Sequence, residues 1–551
     1  MAFASLYNPR AMWPWLETSI NWLLGPEISS EKSPGHLWPR WIFLRALGVI
    51  YFSAFYSLIF QIRGLIGPDG ILPAGDYLQA VQAAVHGSSW WYAPSLFWFG
   101  SSDRALMLVT WIGLIASILV VFNIWPRASL LICFVCFMSF IVTARDFSSY
   151  QSDGMLLEAG FISLFFAPPG LRPGLARSHA ASRASLFLLQ WEAFRIYFES
   201  GVGKMASHDP TWRNFRAMDD YYQNAPLPTW PGWYVGHFPH WFHAGAVFYT
   251  LAIELVLCFM VFLPRRFRIA FFLIVLPFQT SIILTGNYAF LNYIVLCLGF
   301  LFLDDRFIEW IVPQRIRALI DSERPPDPTA PATPWESRRA AWRHIFQPVR
   351  WTFAGICLAW IFYVTTAELV WKLSPTVPLP TTPVEALEPF RIANSYGLFE
   401  VMTHARYEIE FQGSTDGGKT WSAYPFRYKP QDPSKPPGIY APYQPRFEWN
   451  LWFASLGAWP QYRFVVWTEE RLLTGSPDVL ELFARNPFPG AKPQQVRAVI
   501  YQYWFTDMQT KRTTGKWWRR ELLGDYAPTL EREPDGKIVV LDIPTVQQFP
   551  Q

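Results

Sequence analysis

The chain has few charged residues for its length. Asp, Glu, Lys and Arg make up 16% of its 551 residues, whereas a soluble globular protein averages about 25%. Hydrophobic residues make up 51% and aromatic residues 18%. Because helices in lipid satisfy their own backbone groups and expose apolar side chains, this composition indicates several membrane-spanning helices. The net charge of +4 is small and spread over loops, which indicates no nucleic-acid partner.

Cysteine is also scarce, and the usual signatures of soluble enzymes are missing. All five cysteines lie in apolar runs, so no disulfide framework is expected. Cys133 and Cys136 have C-x-x-C spacing, but a thiolate is disfavoured in hydrocarbon, which favours packing over a redox or metal pair. The sequence contains no G-x-G-x-x-G, G-x-S-x-G or H-E-x-x-H motif. We expect no metal site and no cofactor.

Long apolar runs dominate the first 371 residues. No cleavable signal peptide is evident at the start, where an amphipathic piece around 13–24 is typical of an interfacial segment. The pattern predicts a polytopic α-helical membrane bundle of about nine spans. The predicted spans are 41–62, 105–125, 128–144, 154–167, 184–200, 243–263, 268–286, 288–303 and 351–371.

The distribution of arginine predicts how these helices are oriented. The loops 168–183 and 264–268 and the segment 304–350 are rich in arginine, and they alternate with the acidic and aromatic loops 63–104, 145–153 and 201–242. Arginine-rich loops stay in the cytosol. The chain after residue 371 is therefore predicted to lie in the lumen or the periplasm.

Composition divides the chain into six parts. We predict an N-terminal interfacial segment (1–40), the bundle (41–303), a cytosolic proline-rich linker (304–350), a last transmembrane helix (351–371), an extracytoplasmic domain (385–530) and a tail (531–551).

The extracytoplasmic domain is predicted to be a soluble α+β, β-rich domain. Strands are expected at 407–412, 421–429 and 496–506, and helices at 446–456 and 477–486. Residues 414–421 match S-x-D-x-G-x-T-W, which resembles the Asp-box hairpin of sialidases and other β-rich extracytoplasmic proteins. One copy without a propeller repeat indicates a structural hairpin and not glycosidase chemistry.

The stretch 190–224 is unusually polar for a bundle. Glu192, Arg195 and Glu199 lie in an apolar helix that is interrupted by glycines and followed by Lys204. Charges inside a bundle are costly, so they mark either a functional site or a paired network. Lys204 is a candidate base if burial lowers its affinity for a proton, or a snorkelling lysine at a helix end. Trp212 belongs to the same polar stretch.

A second polar block precedes the fourth predicted span. It contains Arg145, Asp146, Gln151 and Asp153, and Glu158 follows within apolar sequence. Asp153 is a plausible helix cap, and Glu158 needs a partner, for which Arg195 and Lys204 are the candidates. The two polar stretches together are either a structural ion-pair network or an active site, in which Lys204, Glu158 and Glu199 are the catalytic candidates.

Two further polar groups have simpler explanations. His237, His240 and His243 are interrupted by a proline and have no interleaved carboxylate or cysteine, which argues against a metal site. Glu254 and Asn292 lie within predicted spans and are expected to form interhelical hydrogen bonds.

Several ordered blocks make the chain resemble the lipase maturation factor family. The matching blocks are 45–73, 149–168, 190–224, 391–421, 441–456 and Tyr501-Gln502-Tyr503. The resemblance implies a polytopic membrane protein of the endoplasmic reticulum that assists the folding and assembly of secreted dimeric lipases such as lipoprotein lipase. The absence of any N-x-S/T sequon and the Arg-, Ala- and Pro-rich composition fit a bacterial relative in a cytoplasmic membrane.

The expected function is therefore a membrane-anchored folding factor with a lipase-like exported client and a membrane lipid partner. The expected client-binding residues are Tyr407, Trp421, Arg446, Trp449, Trp452 and Phe453. The alternative is a membrane enzyme acting on a quinone-like or lipid cofactor. It follows from a shorter similarity of IYFESGVGKMASHDPTW to the membrane domain of vitamin K-dependent γ-carboxylase, in which Lys204 would correspond to the proposed base.

Overall fold

The computed structural model describes residue 23, residues 35–320 apart from 86, 178 and 180, and residues 334–545. At 319 and 334–348 it describes the backbone alone. Most of the expected interfacial segment at 1–40, the proline-rich stretch 321–333 and the end of the expected tail, 546–551, lie outside the described residues.

Helices make up most of the chain up to residue 387. The α-helices are α1 (Leu37–Ile59), α2 (Ile62–Ile66), α3 (Ala74–Ala84), α4 (Ser89–Tyr92), α5 (Asp103–Val121), α6 (Pro126–Thr143), α7 (Gln151–Phe166), α8 (Arg183–Ala206), α9 (Pro210–Arg213), α10 (Ala217–Asn224), α11 (Trp230–Val235), α12 (His240–Leu255), α13 (Arg265–Thr285), α14 (Leu291–Gly299), α15 (Asp305–Ile311), α16 (Gln314–Ile320), α17 (Pro334–Leu373) and α18 (Thr382–Leu387). Short 3-10 helices lie at Leu96–Phe99, Arg145–Ser148, Leu257–Phe262, Phe300–Phe302 and Glu388–Phe390.

Six of these helical segments are long and apolar enough to cross a membrane, so the chain is a multi-pass membrane protein. They are Leu37–Ile59, Asp103–Val121, Pro126–Thr143, His240–Phe262, Arg265–Thr285 and Val349–Leu373. Each coincides with a span predicted from the sequence. The predicted number of nine spans is not confirmed.

The remaining three predicted spans form helices of a different kind. α7 has 16 residues, and α14 forms a shorter apolar helix with the turn that follows it. α8 has 24 residues, but it carries Glu192, Arg195, Glu199 and Lys204, all buried. α8 packs against α7, α12, α14 and α17. These helices contact protein on most sides, which is why charged side chains are tolerated there.

The connecting loops separate into two groups at opposite ends of the bundle. At one end, Arg40 donates to the carbonyls of Leu175 and His179, and Arg265 pairs with Asp304. This end gathers the arginine-rich loops. At the other end, the loops around 145–153 and 201–242 meet the C-terminal domain. These two groups of loops are the same two groups, arginine-rich and acidic or aromatic, that the sequence analysis distinguished.

The C-terminal domain is built on a six-stranded sheet flanked by short helices. The strands are β1 (Arg406–Ser414), β2 (Ser422–Ala423), β3 (Gln495–Phe505), β4 (Trp518–Asp525), β5 (Thr529–Arg532) and β6 (Ile538–Asp542). The helices are α19 (Arg446–Ser455), α20 (Phe464–Thr474), α21 (Pro477–Leu480) and α22 (Met508–Thr514), with a 3-10 turn at Trp459–Gln461.

The sheet is antiparallel, with strand order β2-β1-β3-β5-β6, and β4 also pairs with β3. The longest pairing aligns Ile409 of β1 with Ile500 of β3. β1 is buried along its whole length, and α19 and α20 pack over the sheet. β1 and β3, whose sequences alternate and are rich in β-branched and aromatic residues, thus pair at the centre of the sheet, as expected for half-buried strands.

Three details of the sequence-based prediction differ from the structure. The expected strand at 421–429 is reduced to Ser422–Ala423, because a proline-rich loop follows. The expected helix at 477–486 ends at Leu480, since Phe483 and the residues around it turn back to pack under the sheet. The sheet also continues past residue 530 into β6, which lies within the segment predicted as a tail.

The turn between β1 and β2 is the expected Asp-box hairpin. Asp416 Oδ1 accepts hydrogen bonds from the backbone amides of Lys419 and Thr420 at 3.0 and 2.9 Å. Hydrogen bonds from the Thr420 hydroxyl and amide and from Ser414 lower the pKa of Asp416 to about 2. Gly413–Thr420 also fits the spacing G-x-x-x-x-G-K-T of phosphate-binding loops. Here the segment joins two antiparallel strands and not a strand and a helix, so it lacks that loop's structural context.

Candidate functional site

The predicted polar residues of the bundle converge on one loop of the C-terminal half. This loop, residues 391–403, follows the last spanning helix and precedes β1. Its residues 394–398 enter between α7 and α8, where they meet the buried side chains of both helices. We call residues 394–398 the docking loop.

Glu158 and Arg195 hold the first part of the docking loop. Glu158 Oε2 accepts hydrogen bonds from the Asn394 amide at 3.0 Å and from the Tyr396 hydroxyl at 2.8 Å. The Arg195 guanidinium binds the other oxygen of Glu158 and donates to the Asn394 carbonyl at 2.5 Å. Arg195 is thus the partner of Glu158, one of the two that the sequence suggested. Both side chains are almost completely buried.

The next turn of α8 binds the middle of the docking loop. Glu199 Oε2 accepts from the Tyr396 amide at 2.6 Å and lies one helical turn from Arg195. From α7, Gln151 exchanges two hydrogen bonds with Gly397, at 3.1 and 2.9 Å. Backbone groups of an irregular loop need partners when they are buried, and these side chains supply them.

Lys204 forms a closed set of contacts at the end of the docking loop. Its ammonium group donates to Glu254 Oε1 at 3.0 Å and to the Leu398 carbonyl at 2.7 Å, and it lies 2.9 Å from Glu254 Oε2. It also lies 5.0 Å from the centre of the Trp212 ring. Lys204 therefore donates two hydrogen bonds, and its charge is compensated within the protein by the Glu254 carboxylate.

Asp153 and Arg446 join the two halves of the chain a second time. Arg446 Nη1 and Nη2 donate to the two Asp153 oxygens at 2.7 and 2.8 Å, and both side chains are fully buried. Arg446 also donates to the Phe147 carbonyl at 2.8 Å. Beside this pair, Tyr150 stacks on Trp449 with ring centres 5.0 Å apart. The interface combines a two-bond charged contact with aromatic packing.

A third contact lies just beyond the docking loop. Asp209, outside the spanning segments, accepts from the Met402 amide at 2.8 Å and from the Thr211 amide at 2.8 Å. Burial opposes ionisation of Asp209, but the bonds from Thr211 and Met402 hold the pKa of its carboxyl below the usual range. Asp209 was missed by the sequence-based prediction, although its neighbour Trp212 was included.

The remaining predicted residues lie at the edge of this interface or away from it. Arg145 is exposed, has a left-handed backbone conformation and lies over the Trp467 ring at 5.8 Å. Asp146 is half-buried beside it. In the part of the chain that the structure describes, no hydrogen bond or ion pair joins either side chain to the docking loop. Among the described residues, no group of three or more His, Cys, Asp or Glu side chains is placed to hold a metal ion.

Of the six expected client-binding residues, Trp421 lies apart from the other five. Arg446, Trp449 and Tyr407 are buried, and the first two face the bundle. Trp452 donates to the Asn224 carbonyl at 3.1 Å, and Phe453 lies near Tyr150. Trp421 lies apart from these at the Asp-box hairpin, half-buried, with the Arg497 guanidinium 4.1 Å from its ring centre.

Two loop residues that form much of the interface were not predicted from the sequence. Asn394 and Tyr396 lie in a segment that was noted only for its resemblance to a family, and nothing in its composition connects it with α7 or α8. The useful signal was the excess of acidic side chains in the bundle, because acids that outnumber the cations require neutral donors from elsewhere. Two cations, Arg195 and Lys204, are outnumbered by four acids, Glu158, Glu192, Glu199 and Glu254.

Two family models match the chain. The lipase maturation factor transmembrane domain matches residues 38–310, and the lipase maturation factor C-terminal domain matches residues 392–528. The second match begins two residues before the docking loop.

Curated relatives match over nearly the whole chain. Lipase maturation factor 1 of Bos taurus is 30% identical over 521 residues, which cover 91% of this chain and 90% of the relative. Lipase maturation factor 2 of Gallus gallus is 30% identical over 587 residues, with coverages of 89% and 81%. Lipase maturation factor 1 of Homo sapiens is 29% identical over 535 residues, with coverages of 92% and 91%. No solved structure matches the chain.

These comparisons do not support the carboxylase alternative. In the structure, the ammonium group of Lys204 is bound by Glu254 and by the docking loop. A catalytic base would instead need an amine that is free to accept a proton. The geometry of the polar network is that of a contact holding two domains together.

Proposed function

Since this chain belongs to the lipase maturation factor family, we propose that it is a membrane-anchored folding factor for exported lipases. The match to both family models and to relatives over about nine-tenths of their length supports this assignment. The observation that carries it is the docking loop, which fixes the C-terminal domain to the bundle through Glu158, Arg195 and Glu199. In this proposal the bundle anchors the C-terminal domain and orients it toward a client at the membrane surface.

The client surface in this proposal lies on the two outer edges of the sheet. β6 is an edge strand; its Val540 is 53% exposed, and Ile543, the residue after the strand, is 64% exposed. Trp421 lies at the opposite edge of the sheet. Open strand edges with apolar side chains pair with extended segments of other chains, which incompletely folded lipases expose.

We place the C-terminal domain on the non-cytosolic side of a bacterial cytoplasmic membrane, or in the lumen if the source is eukaryotic. Support comes from the arginine-rich loops, which gather at the end of the bundle opposite this domain. Alkaline phosphatase fused after residue 551 should be active, and a fusion in the loop 168–182 should be inactive. The reverse pattern would contradict this orientation.

The function is tested by co-expressing the full-length chain with an exported lipase. We expect more lipase activity per molecule of exported enzyme when the chain is present, and recovery of the lipase with the full-length chain as bait. Val540→Lys combined with Ile543→Lys should reduce both. The matched control, Gln509→Lys combined with Thr514→Lys, adds the same charge on exposed positions of α22 and should reduce neither. Equal lipase activity with and without the chain would contradict the proposal.

A further inference from the structure

A large apolar cavity lies inside the bundle beside Lys204. Its volume is about 460 Å³, within the range of about 300–1,000 Å³ typical of small-molecule sites. Its walls come from α8, α12, α13 and α14, and the docking loop and the residue after it close one side with Leu398 and Phe399.

The cavity opens sideways between two spanning helices. Trp241, Gly245 and Tyr249 of α12 and Ser281 and Ile282 of α13 line the cavity, and all of them except the half-buried Ile282 are exposed, which places the opening between the two helices. Trp241 is 74% exposed, and Gly245 and Ser281 are exposed as well. Both helices are membrane-spanning segments, so the surroundings of this opening are the hydrocarbon chains of the bilayer.

The two charged groups in the wall compensate one another, although Glu254 Oε2 and Trp212 Nε1 have no hydrogen-bond partner among the described residues. Lys204 binds Glu254 and the Leu398 carbonyl, as described above. Asn292 donates to Gln279 at 2.7 Å, and Gln279 donates to the Tyr197 hydroxyl at 3.2 Å. The wall therefore presents no uncompensated charge to a ligand. A charged head group would lose its hydration without gaining a partner of opposite sign.

We propose that the cavity binds one acyl chain of a membrane glycerophospholipid, which enters through the opening between α12 and α13. The head group stays at the membrane surface near Trp241, where an indole ring is suited to the interface. The chain passes Gly245 and ends against Tyr197, Val295 and Phe399. Because Leu398 and Phe399 belong to the segment that joins the C-terminal domain to the bundle, an occupied cavity supports the docked position of that domain.

Gly245 provides a variant that blocks the opening without disturbing the fold. A Cβ atom added at Gly245 meets no other atom within 4 Å, so the position is open space. Gly245→Phe fills this space at the mouth of the cavity, and replacing glycine within a helix favours the helix. Val256→Phe is the matched control. Val256 directly follows the last residue of the same helix, is 65% exposed and lies outside the cavity wall. Ser281→Phe, on the other side of the opening, is a second blocking variant should Gly245→Phe fail to fold.

The test uses the full-length protein in nanodiscs of phosphatidylcholine that carries a mid-chain diazirine. After illumination, mass spectrometry locates the labelled residues. We expect labelling of Tyr197, Asn292 or Val295 in the wild type. This labelling should fall at least fivefold in the folded blocking variant and remain unchanged in Val256→Phe. Labelling confined to lipid-facing residues such as Phe248 and Leu273, or interior labelling that survives the blocking variants, would overturn the proposal.

Discussion

Arg446 and Asp153 form a two-bond ion pair between residues 293 positions apart in the sequence, and both side chains have no exposed surface. One residue belongs to the bundle and the other to the C-terminal domain. Removing one member of a buried pair leaves an uncompensated charge, whereas removing both leaves a space for apolar packing.

We expect Arg446→Met to destabilise the protein by about 3–5 kcal/mol, because Asp153 then remains buried without its partner. The double variant Arg446→Met with Asp153→Leu should recover most of this loss. Thermal unfolding in detergent measures both. Arg63→Ala serves as the control, since Arg63 pairs at the surface with Glu481, and exposed pairs contribute about 0–1 kcal/mol. Equal effects of the three changes would show that the buried pair has no special role in docking.

Replacing Lys204 alone and together with Glu254 distinguishes a structural role of Lys204 from a catalytic one. Lys204→Ala should lower the unfolding temperature, because Glu254 loses its partner inside the bundle. Lys204→Met combined with Glu254→Leu should restore both the unfolding temperature and the maturation of a co-expressed lipase. A double variant that folds normally but no longer supports lipase maturation would indicate that Lys204 acts chemically.

Two buried glutamates on α8 and α7 should respond in opposite ways to neutralisation. Glu158 binds Arg195, Asn394 and Tyr396, whereas Glu192 is fully buried with no hydrogen-bond partner among the described residues. Glu158→Gln should destabilise the protein by about 3 kcal/mol or more. Glu192→Gln should leave the free energy of unfolding unchanged or raise it, because no hydrogen bond from the described residues is lost and glutamine has nearly the same size as the buried carboxyl side chain. A large loss in Glu192→Gln would point to a partner for this carboxyl that forms in another state.

The glycines of α8 are required where helices approach closely. A Cβ atom at Gly201 would lie 2.8 Å from Glu254 Cβ and 2.9 Å from Leu255 Cδ2 of α12. Gly201→Ala should therefore cost about 1–3 kcal/mol of stability through overpacking. Gly245→Ala, made at a glycine in open space, should instead stabilise its helix slightly. Unfolding experiments on the two variants make the comparison, and a neutral Gly201→Ala would mean that α8 and α12 can separate freely.

Glu448 should make stability depend on pH. Burial raises the pKa of this carboxyl to about 7, although it accepts hydrogen bonds from the amides of Arg427, Lys429 and Tyr428. The folded state thus holds a proton that the unfolded chain releases near pH 4.5. The stabilisation from this group is complete below that pH and is lost as the pH rises through about 7.

Glu448→Gln removes this titration and gives the measurement. The stability of the wild type relative to Glu448→Gln should fall between pH 5 and pH 8, by up to about 3 kcal/mol. A difference that stays constant over this range would show that Glu448 is ionised in the folded protein throughout. Denaturant unfolding at the two pH values, in the same detergent, provides the comparison.

The sequence alone determined the class of protein and several elements of its fold. Low charge, abundant aromatic residues and apolar runs identify a multi-pass membrane bundle, because only helices with apolar surfaces are stable in lipid. Arginine distribution separated the two ends of the bundle. Alternating β-branched and aromatic residues predicted β1 and β3, and the Asp-box pattern predicted the hairpin that follows β1.

The tertiary structure decided what the polar residues of the bundle do. From the sequence, Glu158, Glu199 and Lys204 could be interpreted either as an active site or as an ion-pair network. Their partners, Asn394, Tyr396 and Leu398, lie about 190–240 residues away in the chain. Hydrogen bonds between such distant residues depend on how the helices pack, and no local pattern encodes them. The same packing places α7, α8 and α14 inside the bundle and leaves the cavity beside Lys204. At Gly201, α8 approaches α12 so closely that an added Cβ atom would lie 2.8 Å from Glu254 Cβ.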